Sequence, residues 1–160
     1  MPEMTDPTPA MVSFEQALRV GEIAVRRCEL DRDLYVHGDV VNGKQRFAYV
    51  RLDGLTVTAF VNAVLAPPVD GLPCFQFGCA VPERYRNQGR ATSTLRAAIA
   101  EMRHGFARAG IKTFYVEGIV HVDNAASRRV SERAISTAPV DVTDEPTGQK
   151  ALQYLSTVEA

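Results

Sequence analysis

Apolar positions along this chain change period several times, and each change marks a predicted element. Phe14, Leu18, Gly21, Val25 and Cys28 recur at helical spacing behind Ser13-Phe-Glu-Gln16, where Ser13 and Gln16 fit a capping box. The reading is an amphipathic helix that starts at Ser13 and packs on a sheet. From 29 to 44 no period holds; Asp31-Arg-Asp33 suits the cap of a short helical turn, and Asn42-Gly43 marks a turn. Residues 45–52 and 55–65 alternate as strands do, and Asp53-Gly54 between them is a two-residue hairpin signal. Pro67-Pro68 and Asp70-Gly71 read as a loop. It leads into Cys74-Phe-Gln-Phe-Gly-Cys-Ala-Val81, a run dense in β-favouring side chains.

The helical period returns at Leu95, Ile99, Met102 and Phe106, and Ala109-Gly110 closes that helix, since glycine readily takes the left-handed conformation needed there. Residues 113–121 read as a strand and Asn124 opens a short helix to about Arg133. Residues 135–142 and 151–158 read as a last pair of strands joined across 144–148. The order is helix, hairpin, strand, helix, strand, helix, hairpin. It predicts an α/β protein with a mixed sheet and helices on both faces, rather than a fully parallel doubly wound sheet. Three prolines in the polar stretch 2–10 predict a flexible N-terminal tail over 1–12, ahead of a single domain over 13–160. A chain of 160 residues, 46% hydrophobic, suffices for one core.

The segment Val81-Pro-Glu-Arg-Tyr-Arg-Asn-Gln-Gly-Arg-Ala91 carries the candidate chemistry. A strand that turns directly into a helix leaves the helix's first N–H groups facing the loop, where the helix dipole favours an anion. Gly89 admits close approach of a bulky ligand, Ala91 keeps the next position small, and Arg86 and Arg90 add fixed positive charge. This is the environment of a polyphosphate.

Arg86-x-x-Gly89-x-Ala91 resembles the R/Q-x-x-G-x-G/A signature of the GNAT N-acetyltransferase superfamily. The stretch from Thr113 through Asn124 to Ser127 resembles that family's strand, Asn, helix segment. The resemblance covers about the middle third of the chain. It implies an acyl-CoA N-acyltransferase fold with a central, mostly antiparallel sheet and acetyl-CoA as co-substrate. It also implies that the loop from Arg86 through Asn87, Gln88, Gly89, Arg90 and Ala91 to Thr92 holds the pyrophosphate. The strand around Ala80 and Val81 and the strand near Glu117 would then splay to admit the pantetheine arm, with Asn124 and Ser127 reaching CoA. Asn124 fits a helix N-cap equally well, and Ser127 a helix surface. The implied reaction is direct transfer of acetyl, in a ternary complex, to a primary amine of a small molecule or peptide. Homodimers are common in folds of this kind.

The sequence departs from the family in places. Pro73 to Val81 holds no Asp or Glu, Ser131 stands where a tyrosine often lies, and Arg133-Ala-Ile135 replaces a Gly-Phe pair. The family's first strand has no counterpart before Ser13. A lysine-type amine, with pKa near 10.4, is about 99.9% protonated at pH 7 and must lose that proton before it attacks. Glu117 and His121, on one face of their strand, are the candidate catalytic residues. The competing readings are a carboxylate paired with a local arginine and an ordinary strand-end histidine. Asp141, Asp144 and Glu145 could attract a cationic acceptor. A catalytically weak acyl-CoA-binding sensor or partner module is the alternative function, and a structural protein that binds no CoA is a third.

Charge and cysteine usage narrow the classes further. The net charge is -1, and 15 of the 18 basic residues are arginine, so no basic excess points to nucleic acid. Cys28, Cys74 and Cys79 have no metal-ligand spacing and read as buried free thiols of a reducing compartment. Walker, Rossmann, zinc-protease, EF-hand and esterase-elbow motifs are absent. No apolar run reaches about 18 residues and 1–11 does not read as a signal peptide, so the expectation is a cytoplasmic protein without a metal or a membrane partner.

Overall fold

The computed structural model describes residues 6–145 and 147–160. Residues 1–5 of the expected tail and Pro146 of the expected turn lie outside the described residues. The chain runs α1 (Thr8–Arg19), β1 (Arg26–Arg27), β2 (Tyr35–Val41), β3 (Lys44–Asp53), β4 (Thr56–Val69), β5 (Leu72–Ala80), a 3-10 turn (Glu83–Tyr85), α2 (Arg90–Arg108), β6 (Thr113–His121), α3 (Ala125–Ala134), β7 (Val140–Thr143) and β8 (Lys150–Glu159). The described strands form one sheet in the order β1-β2-β3-β4-β5-β6-β8-β7, antiparallel throughout except for β5 beside β6.

Alternation along the strands separates two cores. Tyr49, Val61, Phe75, Phe77, Phe114 and Val116 face Leu95, Ala98 and Met102 of α2, and Val130 and Ala134 of α3 pack on the same cluster. Val50, Phe60 and Ala80 point the other way, onto Met11 and Phe14 of α1. Helices therefore cover both faces. Gly118 allows α3 to settle: an added Cβ would stand 3.1 Å from Ile135 and 3.3 Å from the Ser131 hydroxyl.

Several expectations about elements need correction. The first helix begins at Thr8, inside the span expected as tail, because Pro9 fits a first helical turn that lacks N–H partners anyway. Ser13 is thus mid-helix and caps nothing. The helix ends at Arg19, so Gly21, with φ +78°, and Val25 and Cys28 lie beyond it. The segment without a period contains two strands, β1 and β2. The Asn42-Gly43 turn, both residues at positive φ, closes a hairpin onto β3. Asp31 makes a tight turn, accepting the Asp33 N–H and pairing with Arg51 at 2.9 Å, and no helix forms there.

The prolines at 67 and 68 do not end β4. The strand continues to Val69 across a register shift between Ala66 and Val69, where a missing N–H is tolerated, and Asp70-Gly71 is a hairpin turn rather than a loop. At the other end, Ile135 caps α3, and β7 starts only at Val140. No strand precedes α1 among the described residues.

Tyr154 is fully buried beside Gly118, and its hydroxyl has no hydrogen-bond partner among the described residues. Burying an unpaired hydroxyl costs about 1–3 kcal/mol. Tyr154→Phe should therefore raise unfolding stability by about 1 kcal/mol in a urea titration, once the loss of packing atoms is offset. A loss of stability would mean that the hydroxyl is paired in solution.

Candidate active site

β5 and β6 run parallel and pair only at Cys74 with Tyr115, Phe75 with Val116, and Gln76 with Glu117. Both strands then continue, β5 to Ala80 and β6 to His121, without pairing with each other, while β5 stays paired to β4 and β6 to β8. The backbone groups on the facing edges of this fork have lost their ladder partners. Such groups call for another occupant. A cleft of about 990 Å³ opens there, running from the fork to the N-terminus of α2 and along α3.

The loop from Arg86 to Gly89 lies at one end of this cleft. Gly89 is the N-cap of α2 in the left-handed conformation, φ +73°, and no side chain caps the helix. The carbonyl of Gly89 takes the Ser93 N–H, so the N–H groups of the first turn remain directed outward. Asn87 is also left-handed, φ +61°, which tightens the loop. Arg86 donates through Nε to the Val81 carbonyl at 2.8 Å and thereby ties the loop to its own start. Arg90 stacks on Tyr85, its guanidinium 5.0 Å from the ring centre, and bonds to Gln88 and Thr58. Both residues border the cleft, and these bonds fix their guanidinium groups.

Of the residues expected to hold a cofactor, Ala80, Val81, Arg86, Asn87, Gly89, Arg90, Ala91, Thr92, Asn124 and Ser127 line this one cleft. Gln88 does not; its side chain is spent on Arg90 and the Arg84 carbonyl. Asn124 is the N-cap of α3, its Oδ1 accepting the Ser127 N–H at 3.1 Å, which leaves its N–H2 donors for the cleft.

The two catalytic candidates part company. His121 lines the cleft, and its Nδ1 accepts the Asp123 N–H at 3.1 Å. That bond puts the proton of the neutral ring on Nε2. Glu117 is buried at the last paired position, opposite Gln76, and is not itself part of the lining; it accepts a 2.7 Å bond from Gln153 Nε2. The arginine pairing of the competing reading is absent among the described residues. Ser131 is buried on the cleft wall.

Residues outside the expected cofactor set also line the cleft. Asp6, Pro7 and Thr8 reach the cleft because Gly78 leaves room: an added Cβ there would lie 2.7 Å from Asn62 Oδ1 and 3.4 Å from Pro7. Gln76 and Ile119 flank the fork, and Arg129 and Arg133 border it from α3. Asp144 is buried at the end of β7 and takes the Thr147 hydroxyl at 2.5 Å, and both residues line the cleft, whereas Asp141 and Glu145 are exposed outside it. Cys79 also lies on the wall, and burial pushes its thiol up to about 12, so it stays protonated at neutral pH. Among the described residues no group of three His, Cys, Asp or Glu could hold a metal ion, and no helix is long and apolar enough to cross a membrane.

No family model matches this sequence, and no curated protein does. Solved structures match by fold. One is the ribosomal-protein-S5-alanine acetyltransferase from Vibrio fischeri, with TM-score 0.53 at 10% identity, covering 72% of this chain and 62% of that one. Another is an acetyltransferase of the GNAT family from Streptococcus pneumoniae, with TM-score 0.50 at 13% identity, covering 72% of this chain and 66% of that one. The chain thus spans a little under two thirds of the length of these two proteins.

Proposed function

This chain has the fold of the GNAT acetyltransferases, and on that premise we propose that it is an acetyl-CoA-dependent N-acetyltransferase acting on a primary amine of a small molecule or peptide. The observation that carries the reading is the fork. Two parallel strands part after three paired rungs and direct unpaired backbone groups at a cleft that ends on an uncapped helix N-terminus. A long ligand with amides along its arm and a pyrophosphate at one end fits that arrangement.

In this reading the first-turn amides of α2, with Arg86 and Arg90, hold the pyrophosphate, and the edges of β5 and β6 take the pantetheine amides. The thioester supplies an activated acyl group with a good leaving thiolate. The acceptor enters beside His121, Asp144 and Thr147, where Asp144 favours a cationic amine. Glu117 accepts the proton of that amine, directly or through one water, and the Nε2–H of His121 orients the reacting groups.

A binding-only acyl-CoA module is the second reading, favoured by the engaged Nδ1 of His121, by Ser131 in place of a tyrosine, and by Glu117 set back from the lining. Release of CoA from acetyl-CoA, followed with a thiol reagent across a panel of mono-, di- and polyamines and short peptides, decides between them. Steady release above hydrolysis with at least one amine is expected. Binding of acetyl-CoA with no release for any amine class would leave the module reading.

A further inference from the structure

The cleft carries more positive charge than a pyrophosphate needs. Arg86 and Arg90 already serve the loop, yet Arg129 and Arg133 also border the cleft from α3. Both are exposed and have no side-chain partner among the described residues. Their neighbours, by contrast, are committed: Arg128 donates to the Val122 carbonyl at 3.0 Å, and Arg96 donates to the Arg133 carbonyl at 2.9 Å. The second of these bonds brings a third guanidinium from α2 up to the last turn of α3. Glu132, the one carboxylate on α3, does not border the cleft.

Positions four apart on a helix stand one above the other, about 6 Å apart along the axis. Two free guanidinium groups at that spacing form a fork that suits the oxygens of a phosphate monoester. Such a group carries about -1.5 to -2 charges near pH 7. We propose that Arg129 and Arg133 form a second phosphate subsite, which binds the 3′-phosphate on the ribose of CoA and so distinguishes CoA from its 3′-dephospho form.

The inference rests on the acyl-CoA reading above, and its test separates the two. Titration calorimetry at physiological salt would compare CoA with 3′-dephospho-CoA on wild type and on the Arg129→Ala/Arg133→Ala double variant. Wild type should bind CoA about 10-fold or more tightly than the dephospho form, as expected for two charge-assisted contacts at an exposed site. The double variant should bind the two equally, with its affinity for the dephospho form unchanged, which also shows that it is folded. Equal affinity of wild type for both ligands would overturn the subsite while leaving the acyl-CoA reading in place, as would equal weakening of both in the variant. Failure of wild type to bind either ligand would overturn both proposals.

Discussion

Acetyl-CoA and CoA, each at about a hundred times its dissociation constant, should raise the unfolding midpoint of the wild type by roughly 5–10 °C, and Gly89→Glu should abolish that rise. The substitution is informative because of where Gly89 sits. No atom lies within 4 Å of a Cβ added there, so a side chain meets open space rather than the core. What it meets instead is a backbone at φ +73°, which costs a non-glycine residue about 1–2 kcal/mol, and a negative charge at the point where the helix favours an anion. Gly89→Ala imposes the same backbone penalty without the charge, so it should lower the unliganded midpoint as Gly89→Glu does but keep part of the ligand shift. ATP and NAD, which have phosphates but no pantetheine arm for the fork, should shift the wild type far less. A full shift with Gly89→Glu would remove the loop from the binding site, and no shift of the wild type with either CoA ligand would remove acyl-CoA from the function.

That loop and its flanks were legible in the sequence because the signals there are local. A β-dense run, a glycine, a small residue and a helical period lie within about 35 consecutive residues, and Asn124 follows one strand later. The fork itself was expected only from the family resemblance, since nothing in the composition of β5 or β6 says that their pairing stops after Gln76 and Glu117. Edge strands were harder still. β1 is two exposed residues, and β2 shows mixed exposure, so no strong alternation marks either.

Where the reading misplaced an element, a real local rule was met in the wrong context. Ser13 and Gln16 satisfy a capping box anywhere in a helix, and the prolines of β4 mark a loop unless the register has already slipped. The end of the cleft proposed for the acceptor depends on contacts between distant parts of the chain. Asp6 to Thr8, the fork and the turn after β7 meet through the sheet order, in which β8 pairs with β6 and carries β7 outside it. Sequence spacing does not encode that meeting.

The same geometry predicts how the two candidate bases divide. Glu117→Gln should lower kcat for amine acetylation by about 10²–10⁴-fold with little change in the KM for acetyl-CoA, the loss expected when a positioned general base is removed. Glutamine keeps the shape and can still accept the bond from Gln153 Nε2, so the rung at the base of the fork and the fold around it should persist. What it loses is the capacity to take a proton. His121 is placed differently: in the neutral ring Nδ1 is already accepting from the Asp123 N–H, so the nitrogen left for the cleft carries a proton and donates. His121→Ala should therefore cost about 10-fold or less, through orientation. A Glu117→Gln enzyme within a few-fold of wild type, beside a His121→Ala enzyme that has lost turnover, would reverse the assignment. It would require His121 to exchange its Asp123 bond for the substrate's proton during the reaction.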